Sequence, residues 1–269
     1  MNHFVHLNPQ PASMRSHREH QCKLPMGGFH RLHKSEKEAQ AGRHGYLKGE
    51  RASNHLFNPA IGELINYWGF HQNEFNSMHP NQLKIKNLVA RGPSLDQLHI
   101  SGSTIKSTNP HVKIDLGGYA KGYALDQASK IIHEHHIKNA LINIGGNIMA
   151  IGQHGNKPWR VGIQDPRGAQ AIAKVDLLDG WAIGTSGDYQ RYFINDGKRY
   201  CHLIDPFTGY PVQGVYSATV LIEPSQNAGT LSDVLSKPLF ISKKEDRKDI
   251  AKKLRIYYYL IIEDKHISM

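Results

Sequence analysis

Hydrophobic residues recur every three or four positions over residues 120–132, directly after the paired glycines Gly117-Gly118. This spacing places them on one face, and it predicts a helix that begins just after the glycine turn. A similar apolar face over residues 60–68 predicts an earlier helix. Asn58 is a good cap for that helix, and Pro59 suits its first turn, because the N–H that proline lacks would be unpaired there.

Short apolar runs, many of them bounded by turn-forming residues, predict strands in the rest of the chain. The predicted strands cover residues 98–100, 112–114, 140–144, 159–163, 175–178 with a continuation at 181–183, 217–222 and 257–262. Two more helices are predicted at residues 229–235 and 244–254. Strands with interspersed helices, mostly joined by tight turns, predict a single α+β domain.

Residues 1–50 differ from the rest of the chain, because they are polar, rich in His, Arg and Gly, and without sustained periodicity. We expect a poorly ordered or divergent N-terminal arm there, followed by one domain over residues 51–269. The histidines of the arm have no fixed ligand spacing, so we interpret them as solvated side chains.

Charge and cysteine content limit the possible partners. The net charge of the 269 residues is +10, which makes a polyanionic partner conceivable. The basic residues are scattered and do not alternate with aromatic ones, so we expect a nucleotide cofactor rather than a nucleic acid. Cys22 and Cys201 have no metal or redox spacing. The chain has no apolar run of about 18 residues and no secretory pattern, which predicts a cytoplasmic protein with no membrane span.

The turn from Asp115 to Lys121 carries the strongest chemical signal. A strand that breaks at paired glycines and restarts as a helix exposes backbone N–H groups that, with the helix dipole, can hold phosphate oxygens. Lys121 would add a positive charge, and Asp115 would accept a hydrogen bond from a base or sugar. An ordinary strand-to-helix turn with a solvated lysine is the alternative.

Three further clusters are weaker signals. Residues 184–189 are rich in glycines and hydroxyls, which is typical of a phosphate cradle or of a simple β-turn. His202, near Asp205, is either an acid–base residue or a structural histidine. Asp233 and Lys237 lie four apart on a predicted helix, which fits a surface ion pair or an Asp that binds Mg²⁺.

Together these segments resemble the ApbE family, the FAD:protein FMN transferases once called thiamine biosynthesis lipoproteins. The matching motifs occur in the family's order over residues 54–262: Phe57–Gly62 through Trp68–Phe70, Asp115–Gly122, Asn143–Gly146, Trp159–Ile163, Thr185–Tyr189, and His202–Pro206 with Thr208-Gly209. The resemblance implies one domain of mixed or antiparallel sheets packed with helices. It also implies cleavage of the FAD pyrophosphate, attachment of FMN to a Thr or Ser of a target protein, release of AMP, and assistance by Mg²⁺.

The resemblance also implies roles for individual residues. Six would contact the flavin nucleotide: Leu56, Phe57, Asn58 (where an Asp is more usual), Asp115, Lys121 and Ile204. The carbonyl of Gly118 and the carboxylate of Asp233 would bind the metal, and His202 would be the acid–base residue. The acceptor would be a flavoprotein or a membrane-associated redox subunit with a short motif that ends in Ser or Thr.

Two departures from the family pattern stand beside these matches. The family expects a Thr four residues after Asp233, and this chain has Lys237, followed by Pro238. A protonated ammonium cannot ligate Mg²⁺ and would repel it, although it could contact the pyrophosphate directly. The family's N-terminal Gly-Thr strand, Ser-rich cofactor loop, signal peptide and lipid-bearing cysteine are not recognisable. Family members are usually periplasmic or membrane-anchored, so the resemblance implies a different compartment from the cytoplasmic one predicted above. The sequence thus allows a flavin transferase with an altered metal site, or a non-catalytic FAD-binding relative or truncated pseudoenzyme.

Overall fold

The computed structural model describes residues 3–7, 53–101, 104–264 and 266–268 of the chain. In chain order the strands are β1 (His3–Leu7), β2 (Leu98–Ser101), β3 (Thr104–Ser107), β4 (Ala140–Ile144), β5 (Asn147–Ile151), β6 (Trp159–Gln164), β7 (Ala171–Leu177), β8 (Ala182–Gly187), β9 (Tyr192–Asn195), β10 (Lys198–Cys201), β11 (Val215–Ile222), β12 (Tyr258–Glu263) and β13 (His266–Ser268). The helices are α1 (Gly62–Tyr67), α2 (Gln82–Ala90), α3 (Ala120–Glu134), α4 (Ala228–Ile241) and α5 (Arg247–Leu254), with 3₁₀ turns at Leu95–Gln97 and Lys244–Asp246.

A seven-stranded sheet in the order β1-β4-β5-β8-β11-β12-β13 forms the centre of the fold. The β1–β4 pair is parallel, and the five other neighbouring pairs are antiparallel. Gly145 and Gly146 join β4 to β5 with φ angles of 57° and 90°, which glycine adopts without a steric penalty. Three two-stranded sheets, β2–β3, β6–β7 and β9–β10, complete the architecture. The prediction of an α+β domain with mixed sheets and helices is confirmed.

The hydrophobic core is divided by the central sheet. Helix α4 packs on β8 and β11, and α3 packs against α4 and β4. The largest cluster of buried residues is built by these elements and includes Leu125, Ile142, Val220 and Leu239. The β6–β7 hairpin supplies Trp159 and other residues to a second cluster with Ile183 and Leu260.

A third cluster surrounds Trp68 and connects the N-terminal helices to the β9–β10 hairpin. The Trp68 indole stacks near Phe193 and Tyr200, and its N–H donates to the carbonyl of Gly209 at 2.8 Å. Because β10 leads directly into His202, this aromatic cluster holds the segment that carries the predicted acid–base residue.

Most elements that the apolar patterns predict are confirmed. Helix α3 covers the predicted residues 120–132, and the strands predicted near 98, 140, 159, 217 and 257 appear within one or two residues of their expected ends. The run predicted over 175–183 is two strands, because β7 ends at Leu177 and β8 begins at Ala182.

The predicted start of the first helix is wrong. Helix α1 begins at Gly62, because the backbone groups of Pro59, Ala60 and Gly62 hydrogen-bond to residues 113–115 and residues 59–61 stay outside the helix. Asn58 therefore caps no helix. Its side-chain oxygen accepts from the N–H of Ala60 at 2.9 Å, and its amide donates to the carbonyl of Pro93 at 2.9 Å. For the same reason the strand predicted at 112–114 is reduced to one bridge between Ile61 and Lys113.

Several elements escaped prediction. No helix is predicted between residues 81 and 97, yet α2 lies there, capped by the side chain of Asn81 and buried through Ile85 and Leu88. Strands β5, β9 and β10 were also missed. Helix α4 continues to Ile241 with Pro238 inside it, well past the predicted end at residue 235.

Strand β1 lies within the predicted N-terminal arm, and its backbone pairs in register with β4. Residues 8–52, with Cys22, lie outside the described part of the chain, so the arm and its boundary stay predictions. Within the described ranges, no helix combines the length and apolar character needed to cross a bilayer.

Candidate functional site

The glycine turn before α3 is tied to the segment around Phe57. The Asp115 N–H donates to the carbonyl of Pro59 at 2.8 Å, and the Asp115 carboxylate accepts from the N–H of Gly117 at 2.9 Å. Phe57 is buried, and its ring lies 3.3 Å from the position that a methyl group at Gly118 would take. The predicted cofactor residues Phe57 and Asp115 and the glycine turn therefore belong to one local structure.

Helices α3 and α4 approach each other through two glycines, Gly122 and Gly229. A methyl group at Gly122 would lie 2.3 Å from the carbonyl oxygen of Gly229. Asp126 accepts from the N–H groups of Gly229 (2.8 Å) and Thr230 (2.9 Å), which holds the start of α4 against α3. The Asp233 carboxylate in turn accepts from the N–H of Gly122 at 3.1 Å. The first turn of α3 is thus fixed beside Asp233.

Asp233 also forms a buried ion pair with Lys237. The Lys237 ammonium lies 2.8 Å from Oδ1 of Asp233 and 2.6 Å from its backbone oxygen, and the two side chains are 12% and 1% exposed. The predicted helical pairing is confirmed, but the interpretation as a surface contact is wrong because both groups are nearly inaccessible to solvent. The stem of Lys237 passes over the glycine turn, where a methyl group at Gly118 would meet Lys237 Cε at 2.6 Å.

The charges of this cluster perturb one another. Burial alone would raise the pKa of Asp233, but the ammonium groups of Lys237 and Lys121 outweigh it and lower this pKa. Burial lowers the pKa of Lys121, and the like charge of Lys237 lowers it further. Two lysines therefore share one carboxylate beside the glycine turn.

His202 faces the same positive charges from the end of β10. Its Nδ1 lies 3.3 Å from the carbonyl oxygen of Arg191, which can only accept, so Nδ1 carries the proton and Nε2 has a free lone pair. Burial lowers the pKa of His202 to about 3, with further contributions from the charges of Arg191 and Lys237. The imidazole is consequently neutral at physiological pH and able to accept a proton at Nε2.

Protonation of His202 is expected to make stability depend on pH. Its pKa is about 3 when folded and 6.5 ordinarily, so below pH 6.5 the unfolded chain binds a proton that the native state does not. The free energy of unfolding should therefore decrease progressively as pH falls from 6.5 to about 3, because the unfolded chain takes up this proton first. Urea unfolding at several pH values, for the wild type and His202→Gln, isolates this contribution from those of the other histidines. Identical slopes of free energy against pH in the two proteins would contradict this assignment.

Other predicted residues lie in different surroundings. Ile204 is 4% exposed within the cluster around Trp68 and pairs with Pro211 through its backbone, and Leu56 packs against the largest core cluster. Asp205 accepts from the Phe207 N–H at 2.9 Å, so it stabilises a turn. The cofactor-binding roles of Leu56 and Ile204 stay predictions.

Residues 184–189 do not form the expected loop or β-turn, because residues 184–187 belong to strand β8. The Ser186 hydroxyl is bonded to that of Ser236 at 2.8 Å. The following Asp188 is buried and accepts two hydrogen bonds from Arg167 at 2.7 and 2.6 Å. This segment therefore has a structural role.

Two residues of the site were missed. Asp126 could be recognised from the sequence, because it is a carboxylate one turn after Gly122 on the buried face of α3. Arg191 could not be recognised, because it lies in the link between β8 and β9, and only the folded chain brings its guanidinium to the Phe70 carbonyl and the surroundings of His202.

The arrangement does not fit a magnesium ion. Across residues 53–101, 104–264 and 266–268, no three His, Cys, Asp or Glu side chains come together as metal ligands. Of the two predicted ligands, Asp233 has both carboxylate oxygens engaged by N–H donors, and Gly118 lies under the stem of Lys237.

Fold and site define an α+β protein in which a glycine turn and helix start lie beside buried cations and a neutral histidine. The chain belongs to the ApbE family, whose family model matches residues 46–260. The predicted family resemblance is thereby confirmed.

Similar proteins carry names consistent with this membership. The chain is 40% identical over 209 residues to the FAD:protein FMN transferase of Rhodobacter capsulatus, covering 78% of this chain and 39% of that protein. It is 33% identical over 210 residues to the FAD:protein FMN transferase of Haemophilus influenzae, covering 75% and 59%. The chain thus spans between 39% and 59% of the length of these two relatives.

Solved structures agree with the fold. The ApbE protein of Thermotoga maritima superposes with a TM-score of 0.77 at 32% identity, covering 87% of this chain and 76% of that one. The flavin transferase ApbE of Vibrio cholerae superposes with a TM-score of 0.69 at 29% identity, covering 83% and 71%.

Proposed function

We propose that this protein is an FAD:protein FMN transferase. The observation that carries the proposal is a neutral His202 with a free Nε2, facing the cations of Lys121 and Lys237 beside the glycine turn. This arrangement combines a proton acceptor with positive charge for phosphate oxygens. The relatives from Rhodobacter and Haemophilus bear the same name.

The reaction requires one bond to form and one to break. The oxygen of an acceptor Thr or Ser hydroxyl attacks the phosphorus on the FMN side of the pyrophosphate, and its proton passes to Nε2 of His202. The bond from that phosphorus to the bridging oxygen breaks, and AMP leaves with the electron pair. Positive charge at Lys121 stabilises the phosphate oxygens during transfer.

FAD binding is assigned to the residues around the glycine turn. Lys121 offers its ammonium to the pyrophosphate from the first turn of α3, whereas the N–H groups of Ala120 and Gly122 there are already bonded to the Leu116 carbonyl and the Asp233 carboxylate. Asp115 and Asn58 offer side-chain oxygens for the sugar or base, and Phe57 supplies an apolar wall. Leu56 and Ile204, also implied by the resemblance, complete the assigned set.

The family's magnesium ion has no role in this mechanism. By resemblance its ligands would be the Gly118 carbonyl and the Asp233 carboxylate, but the Lys237 ammonium lies against that carboxylate.

The acceptor is proposed to be a flavoprotein or membrane-associated redox subunit with a Ser- or Thr-terminated motif.

Flavin fluorescence of denatured protein in a gel tests the proposed transfer. The protein is incubated with FAD and a purified flavoprotein acceptor carrying such a motif, in one sample with Mg²⁺ and in another with EDTA. We expect a fluorescent acceptor band that disappears when the acceptor Thr or Ser is replaced by Ala. Dark bands in both samples, with FAD bound in a parallel titration, would reject transfer in favour of a non-catalytic FAD-binding relative.

A further inference from the structure

We propose that the Lys237 ammonium takes the place of a divalent cation, so that this chain holds the pyrophosphate of FAD without a metal ion. The identity of the ligand rests on the proposed function. The substitution of metal by ammonium rests on the contacts of Lys237, Asp233 and Gly118.

The Asp233 carboxylate, which the resemblance implies as a metal ligand, already has hydrogen-bond donors at both oxygens. Lys237 Nζ engages Oδ1 of Asp233 at 2.8 Å and its backbone oxygen at 2.6 Å, while the Gly122 N–H engages Oδ2 at 3.1 Å. A metal ion would have to displace the ammonium before it reached an oxygen. Since the ion pair is 12% and 1% exposed, solvent and salt do little to loosen it.

Lys237 is positioned at the glycine turn before α3. The Lys237 stem lies directly against Gly118, since a methyl group there would meet Cε at 2.6 Å and Cδ at 3.0 Å. The ammonium is therefore held at the turn that leads into α3. Phosphate oxygens that approach the helix start meet Lys237 there, with Lys121 one residue into the helix.

Positive charge exceeds negative charge around this ion pair. Lys237 lies against the Asp233 carboxylate, and burial lowers the pKa of Lys121, with further lowering by the nearby charges of Lys237 and Arg191. An added divalent cation would increase this excess, whereas the two negative charges of a pyrophosphate diester would balance it. During transfer, the Lys237 charge stabilises the leaving phosphate of AMP, and the bonds made and broken are those given above.

The wild-type protein provides the first test. FAD affinity, followed by quenching of flavin fluorescence, should be the same in EDTA and in millimolar Mg²⁺. Mn²⁺, used as a paramagnetic probe of divalent-cation binding, should give no bound signal. A saturable Mn²⁺ site, or FAD affinity that rises about tenfold with Mg²⁺ (an interaction of about 1.4 kcal/mol), would overturn the proposal.

Variants provide the second test. Lys237→Thr in EDTA should weaken FAD binding by about tenfold or more, the loss expected for a charged hydrogen bond, and Mg²⁺ should restore it. Lys237→Arg should retain FAD binding in EDTA, and Lys248→Thr, which changes an exposed helical lysine in α5, should leave it unchanged. Wild-type affinity for FAD in the Thr variant in EDTA would overturn the proposal. If thermal melting shows that Lys237→Thr does not fold, the proposal is tested by the wild-type measurements and by FAD binding of Lys237→Arg in EDTA.

The two proposals can fail separately. Metal-dependent transfer of FMN would reject the replacement of the metal and retain the transferase. FAD binding that depends on Lys237 but not on metal, without transfer to any acceptor, would reject the transferase and retain the replacement.

Discussion

Replacing His202 with alanine is expected to slow FMN transfer by a factor of about 10² to 10⁴, the usual contribution of a general base. The wild-type imidazole is neutral and has its Nε2 lone pair available, because Nδ1 donates to the Arg191 carbonyl. The alanine variant leaves the acceptor hydroxyl without a partner for its proton. FAD affinity should change far less than the rate, since the charges proposed to bind the phosphates are on Lys121 and Lys237.

Single-turnover transfer to a flavoprotein acceptor, with FAD binding measured separately, checks this expectation. His154→Ala is the matched control, because it also removes a histidine that contacts an aromatic ring, that of Trp159, in another part of the fold. A His202 variant that transfers FMN at the wild-type rate would exclude His202 as the base. If the His202 variant loses FAD affinity by the same factor as the transfer rate, then His202 contributes to FAD binding instead of proton transfer.

Replacing Gly122 with alanine is expected to destabilise the protein, although alanine is the better helix former by about 1 kcal/mol. The added methyl group would lie 2.3 Å from the Gly229 carbonyl oxygen and 2.7 Å from Cα of Thr230. Backbone atoms cannot move aside without separating α3 from α4. Overpacking of this kind costs about 1–3 kcal/mol and outweighs the gain in helix propensity.

Thermal and urea unfolding measure this effect, and Lys130→Ala supplies an exposed control in the same helix. A loss of about 2 kcal/mol corresponds to a melting temperature about 4–8 °C lower for a domain of this size. FAD affinity of the folded fraction should also fall, because the Gly122 N–H that holds Asp233 beside Lys121 is displaced. A melting temperature equal to or above that of the wild type would refute the close helix contact.

The elements predicted well are those whose determinants are close in sequence. Helix α3 has its glycine turn, its first-turn lysine and its apolar face within one continuous segment, so periodicity located it. The ion pair between Asp233 and Lys237 followed from helical spacing alone. Its burial did not, because burial depends on α3 and the glycine turn at Gly118 packing against the pair.

The elements predicted poorly depend on distant partners. Residues 59–62 have the composition of a helix start, but hydrogen bonds to residues 113–115 delay the helix until Gly62. Arg191 approaches Phe70 across more than a hundred residues of sequence, and no local pattern marks it. Helix α2 is different, because its cap at Asn81 and its buried Ile85 and Leu88 are local signals that the prediction overlooked.

The three cations that face His202 also make its basicity depend on the substrate. Arg191, Lys237 and Lys121 all disfavour the imidazolium in the free protein. A bound pyrophosphate would neutralise part of their field, so the imidazole becomes a stronger base only when the bond to be broken is in place. By reciprocity, FAD binding should draw a proton from solution under acidic conditions. Burial and these positive charges thus keep the free imidazole a weak base, and the proposed nucleotide would strengthen it on binding.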